Sequence, residues 1–228
     1  MTTTMPHLAI LGGTGPSGQC LIEEALSRNH TLSLLVRTPS KLPSSITSHP
    51  AVTVVQGSLS DREAITQTIR GASAVLSTLG PSLSVSTALH GLTDSSTPIA
   101  DGYTLILEVM RQEGVRRLIA LGTVSNENAE DGSSVLRWCL VTAVWAFLHY
   151  AWKDVVMFGK KIQESGLEWT IARVARLSNA PGGGQVKAGL VGREGTGVVV
   201  ARADLARWFL DELERGEWIR KMPVVYSA

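Results

Sequence analysis

Short apolar runs separated by longer stretches with helical spacing organise this chain. Residues 8–11, 31–36, 52–56, 74–78, 117–121, 168–173 and 222–226 are compact runs that each read as a buried strand. Helical patterns fall between them, at 19–26, after Ser60-Asp61-Arg62-Glu63 to about residue 70, from Pro98 to Gly114, at 153–164 and at 203–214. Ser60 and Glu63 have capping-box spacing. Thr97 precedes a proline at the first helical position, and Leu105, Ile106, Val109 and Met110 then repeat with helical period. Strands alternating with helices predict an α/β fold, a doubly wound parallel sheet with helices on both faces. No internal repeat or linker divides the chain, so residues 1–228 read as one domain with a frayed tail at 1–6.

The first strand runs directly into Gly12-Gly13-Thr14-Gly15-Pro16-Ser17-Gly18, and a helix follows. Gly13, Gly15 and Gly18 have G-x-G-x-x-G spacing, and Gly12, Gly15 and Gly18 give a second, G-x-x-G-x-x-G reading. In this setting one glycine allows the tight turn, one lets backbone approach a pyrophosphate, and one lets helix pack close to strand. The helix N-terminus then offers unpaired N–H groups and a positive dipole end to phosphate. The strand–turn–helix context turns a weak motif into a dinucleotide-site prediction on a Rossmann-type sheet.

The end of the second strand selects the cofactor. NAD sites place an acid there for the ribose 2′-hydroxyl. This chain has Arg37, then Thr38, Ser40 and Lys41, and no acid. A guanidinium pairs with a 2′-phosphate in a bidentate way and Lys41 adds charge, so the expected cofactor is NADP(H). In a doubly wound sheet the strand C-termini line the crevice, which places Gly57-Ser58-Leu59 near adenine and Thr78-Leu79-Gly80 nearer nicotinamide.

The net charge is +1 with no basic block, so there is no electrostatic case for nucleic acid or an anionic membrane surface. Cys20 and Cys139 have neither metal-ligand nor disulfide-framework spacing, no metal site is expected, and the N-terminus carries no signal-type core. A reducing, cytoplasmic location is the default expectation. Residues 81–97 are rich in Ser and Thr without clear periodicity and read as a long loop on the substrate side, with His90 an exposed loop residue.

Residues 135–152 are almost continuously apolar, interrupted mainly by Arg137 and His149. The run is too short and interrupted for a membrane span. Trp138, Trp145 and Trp152 recur every seven residues and would share one helix face with Val141 and Leu148. That stripe reads as core or dimer packing, or as the aromatic wall of a pocket for a bulky apolar substrate. A homodimer is therefore left open, and 126–152 is expected on the substrate side.

Several stretches together resemble the atypical short-chain dehydrogenase/reductases. They are the glycine turn, Leu35-Val36-Arg37-Thr38-Pro39-Ser40-Lys41-Leu42, Thr78-Leu79-Gly80, Glu164-Ser165-Gly166-Leu167-Glu168-Trp169-Thr170-Ile171 and Arg202-Ala203-Asp204-Leu205-Ala206. Within that group the chain is similar to the NmrA-like branch and the flavin reductase/biliverdin reductase B proteins. The resemblance implies that Gly12, Thr14, Gly15, Pro16, Ser17 and Gly18 form the pyrophosphate loop and that Arg37 meets the 2′-phosphate. It places Ser58 and Leu59 at the adenine side, where relatives commonly have Asp, and Leu79 and Gly80 after the fourth strand. Thr123 stands near the nicotinamide, and Asp154 matches an acid common at the start of the next helix.

The departures bear on chemistry. The larger family's Tyr-x-x-x-Lys pair is absent, and Tyr150 and Lys153 stand three apart, still on one helix face. Val155 replaces a His of flavin-reducing relatives, and Val174 replaces the usual Pro after Thr-Ile-x-Arg. The leading expectation is an NADPH-dependent reductase of a bulky apolar or flat cyclic small molecule, such as a natural-product intermediate. Thr123, Tyr150 and Lys153 are the candidate catalytic residues, with water an alternative proton source. A non-redox isomerase or cyclase and an NADP-sensing regulator of NmrA type are the alternatives.

Overall fold

The computed structural model describes residues 6–80, 97–193 and 197–227. The loop predicted at 81–97 and its His90 therefore lie almost wholly outside the described residues. Seven strands run parallel: β1 (His7–Leu11), β2 (Thr31–Val36), β3 (Val52–Gln56), β4 (Ala74–Ser77), β5 (Arg117–Thr123), β6 (Glu168–Val174) and β10 (Val224–Ser227). β8 (Val186–Gly189) adds an antiparallel edge, giving the order β3-β2-β1-β4-β5-β6-β10-β8. β7 (Arg176–Ser178) and β9 (Val199–Ala201) pair in a separate two-stranded ribbon.

The helices are α1 (Pro16–Ser27), α2 (Ser44–Thr47), α3 (Arg62–Ile69), α4 (Pro98–Gln112), α5 (Val135–Phe147), α6 (His149–Gln163) and α7 (Arg202–Arg215). Strand alternation divides their packing. From β1, Ala9 and Leu11 join a core with Ile65, Tyr103 and Phe158, while Leu8 and Ile10 join one with Ile22, Leu205 and Phe209. α3, α4 and α6 thus cover one face, and α1 and α7 the other. Both faces are buried, which is why the central strands read as continuous apolar runs.

Three local expectations change. Asp61, not Ser60, caps α3, its side chain accepting the Ala64 N–H at 3.1 Å. Thr97 stands at the N-cap of α4, but the side chain that caps it belongs to another helix. The apolar run at 135–152 breaks at Leu148 (φ −136°, ψ 44°), so Trp152 sits on α6 apart from Trp138 and Trp145. The tryptophans therefore form no single stripe, and Trp138 and Trp145 are 67 % and 51 % exposed. The Pro181-Gly182-Gly183-Gly184 stretch, between β7 and β8, is pinned by side chains of α7. Buried Asp204 accepts the Gly183 N–H at 2.7 Å, and Arg207 donates to Gly184 O at 2.7 Å.

Candidate functional site

The chain reverses its direction of winding at β1, with β2 on one side and β4 on the other. Ligands of open α/β sheets bind at such a switch point, beyond the strand C-termini. Register brings those termini together: Leu11 pairs with Leu35 and Ser77, Val36 with Gln56, and Thr123 with Val174.

The glycine turn occupies this point. Gly12 has φ +85°, and a Cβ there would lie 2.9 Å from both Thr78 C and Thr78 Oγ1. Only glycine meets both demands. A Cβ at Gly18 would overlap Gly12 O and lie 2.7 Å from Gly13 Cα. The Gly15 N–H donates to Gly12 O at 3.1 Å and closes the turn. Gly15 is the N-cap of α1 and offers no side-chain cap, Pro16 stands at the first helical position, and no acid lies in the first turn. The first helical bond runs from Gln19 N–H to Gly15 O at 2.9 Å. The N–H groups of Ser17 and Gly18 therefore have no intrahelical acceptor. A close-packed glycine cradle at an uncapped, acid-free helix N-terminus fits a pyrophosphate.

The other predicted cofactor residues lie on the same edge of the sheet. Arg37 follows β2 and is exposed, with no carboxylate paired to it among the described residues. Lys41 ends a short 3₁₀ turn, Pro39–Lys41, and is also exposed. Ser58 follows β3, but its hydroxyl is held 2.8 Å from Ser60 Oγ and accepts the Ser60 N–H at 3.3 Å. It shapes the loop that leads into α3. Leu59 packs over Gly102 of α4, where a Cβ would lie 2.7 Å from Leu59 Cβ. Leu79 packs on the core and exposed Gly80 follows it. Beneath them Ser77 Oγ and Tyr103 OH are 2.6 Å apart, and burial pushes the Tyr103 phenol well above its ordinary range.

Thr123 is the last residue of β5, two positions further than the strand pattern implied. Its Oγ1 accepts the Ser125 N–H at 3.2 Å, and no described acceptor takes its proton. Tyr150 and Lys153 stand on the first turns of α6, both half-buried. The Tyr150 hydroxyl is buried and has no hydrogen-bond partner among the described residues.

Three buried side chains have structural roles that the sequence reading did not assign. Asn126, 1 % exposed, bonds to Thr123 and to α6. Arg173, at 0 %, donates to Asp131 at 2.6 and 2.7 Å and to Met222 O at 2.8 Å. Asp154, matched only by resemblance, accepts the N–H groups of Ile99 and Ala100 at 3.1 and 2.7 Å. Burial raises its carboxyl above the usual value, against the lowering effect of those two bonds.

A family model described as NAD(P)H-binding matches residues 12–215, from the glycine turn through α7. The chain belongs to this NAD(P)H-binding family. Solved structures agree on the fold. A short-chain dehydrogenase/reductase from Veillonella parvula, solved in complex with NADP, is 19 % identical with TM-score 0.76, covering 97 % of this chain and 94 % of that one. ChuY, an anaerobillin reductase from Escherichia coli, is 16 % identical with TM-score 0.76, covering 98 % and 97 %. A Rossmann-fold NAD(P)-binding family protein from Shigella flexneri is 18 % identical with TM-score 0.68, covering 98 % and 94 %. The predicted Rossmann-type fold class and membership of an NAD(P)H-binding family are thus established. No helix among the described residues is long and apolar enough to cross a membrane.

Proposed function

We propose that this protein is an NADPH-dependent reductase of a flat or bulky apolar cyclic small molecule. The observation that carries the reading is the pairing of two features at one sheet edge. The glycine cradle lies at the switch point, and Arg37 stands exposed and unpaired with any described carboxylate at the end of β2, where an NAD site would carry an acid. The similarity in fold to an NADP complex and to a reductase supports it.

In this reading the Ser17 and Gly18 amides and the turn glycines hold the pyrophosphate, while Arg37 and Lys41 neutralise the 2′-phosphate. Ser58 and Leu59 border the adenine, Leu79 and Gly80 the nicotinamide side. When bound, NADPH supplies hydride to the substrate. The Thr123 hydroxyl, its oxygen already accepting from Ser125, donates its O–H to the substrate heteroatom. The Tyr150 hydroxyl is a buried donor without a partner among the described residues and serves as proton source. Lys153, three residues on along the same helix, stands on Tyr150's face.

The test is NADPH consumption with a panel of flavins, quinones and cyclic ketones. Oxidation with at least one acceptor, lowered by Thr123→Val and by Tyr150→Phe without loss of NADPH binding, is expected. Unchanged kinetics in both variants would remove the proton path, and NADPH binding without turnover of any acceptor would favour the isomerase or sensor alternatives.

A further inference from the structure

Asn126 is a buried amide with both halves committed. Its Oδ1 accepts the Thr123 N–H at 2.9 Å, and its Nδ2 donates to Val155 O in α6 at 2.8 Å. One side chain thus joins the last residue of β5 to the helix that carries Tyr150 and Lys153. Its backbone is fixed as well: Asn126 N donates to Thr123 O at 3.0 Å, and Asn126 O accepts from Arg173 at 3.1 Å.

Two glycines that no turn requires make room for it. A Cβ at Gly122, inside β5, would lie 2.5 Å from Ile171 Cγ2 and 2.6 Å from Asn126 Oδ1. A Cβ at Gly159, inside α6, would overlap Asn126 Nδ2. Neither glycine has a positive φ. Glycine weakens the interiors of both strands and helices, so its presence in both walls marks a close approach. At Gly159 that approach is the Asn126 amide alone, and at Gly122 it is the amide together with Ile171.

We propose that Asn126 is a positioning residue that sets the Thr123 hydroxyl against the Tyr150–Lys153 turn of α6. Deleting either of its hydrogen bonds lets the two sides of the nicotinamide end shift relative to one another, while the pyrophosphate cradle on β1 and α1 stays intact. This rests on the reductase reading for its catalytic readout only; the tie between β5 and α6 stands independently.

The test compares wild type, Asn126→Asp and Gly159→Ala. Ionised Asn126→Asp keeps the acceptor for Thr123 N–H but points a second acceptor at Val155 O, so the α6 tie is lost. Protonated, it can donate to Val155 O and restore the tie. Burial beside the Val155 carbonyl raises such a carboxyl, against a lowering pull from the Arg173 guanidinium that is weakened by its pairing with Asp131, so the switch is expected between about pH 5 and pH 8. We expect kcat of Asn126→Asp to be about tenfold or more below wild type at the alkaline end and to recover several-fold toward the acid end. The wild-type profile lacks that recovery, and NADPH affinity stays within about twofold throughout. Gly159→Ala favours helix by propensity yet displaces Asn126 from the α6 side, and a similar fall in kcat with unchanged NADPH affinity is expected. Folded variants with wild-type kcat at every pH would overturn the proposal, as would a loss of NADPH affinity that parallels the loss of kcat. If wild type turns over no acceptor, the reductase reading fails separately, and amide exchange decides for Asn126. Peptides covering 118–126 and 150–160 should lose protection together in Asn126→Asp at the alkaline end, and unchanged protection in either would overturn the tie.

Discussion

Asp154, on α6, accepts the Ala100 N–H of α4 at 2.7 Å and the Ile99 N–H at 3.1 Å. The N-terminus of α4 is thus capped by a carboxylate from a neighbouring helix. The capping carboxylate is buried, and burial outweighs the two N–H bonds, holding its carboxyl above the ordinary value of 3.8. The native state therefore keeps the proton more readily than the unfolded chain, and this group's contribution to stability falls as pH rises from 3.8 through its raised native pKa. Asp154→Asn removes that titration while keeping one acceptor. Its stability should be flatter across the acid range, and Asp154→Ala should lose about 1 kcal/mol of cap, or more because the site is buried. Denaturant melts at several pH values check both.

Tyr150→Phe separates stability from activity. The Tyr150 hydroxyl is buried without a partner among the described residues, so removing it costs no hydrogen bond to them. The melting temperature should be unchanged or slightly higher, while turnover falls by about tenfold or more if the hydroxyl is the proton donor. A marked loss of stability would reveal an unseen structural partner.

The Arg173–Asp131 pair is the most exacting electrostatic contact among the described residues. Its two bonds, at 2.6 and 2.7 Å, bury a guanidinium with no exposure. Asp131→Ala leaves that charge uncompensated and should cost about 3–5 kcal/mol. Chemical denaturation measures it directly.

Gly18→Ala should abolish dinucleotide binding or folding, because its Cβ overlaps Gly12 O inside the turn.

Much of the fold was legible from local pattern. β2 coincides with its apolar run because a strand covered on both faces carries no polar alternation to blur its ends. β3, a partly exposed edge strand, coincides with its run as well. What escaped depends on distant partners. β7, β8 and β9 have only three or four residues each and are defined by pairing rather than composition. The break at Leu148 lies in an apolar run with no Gly or Pro to mark it. Thr97 looked like the cap of α4 because a local rule cannot see Asp154 fifty-five residues away. The candidate site divides the same way. The glycine turn and Arg37 were readable because backbone and charge requirements sit at fixed spacing. Asn126 was not, although Gly122 and Gly159, glycines inside regular elements, were a usable signal of close approach.

The central claim is that Arg37 makes this an NADP(H) site. Calorimetric titration of NADPH and NADH into wild type and Arg37→Ala tests it most directly. Wild type should bind NADPH more tightly than NADH, and the variant should lose about 10–100-fold for NADPH while NADH changes by less than about twofold. Equal losses for the two dinucleotides, or no binding of either by wild type, would contradict the account.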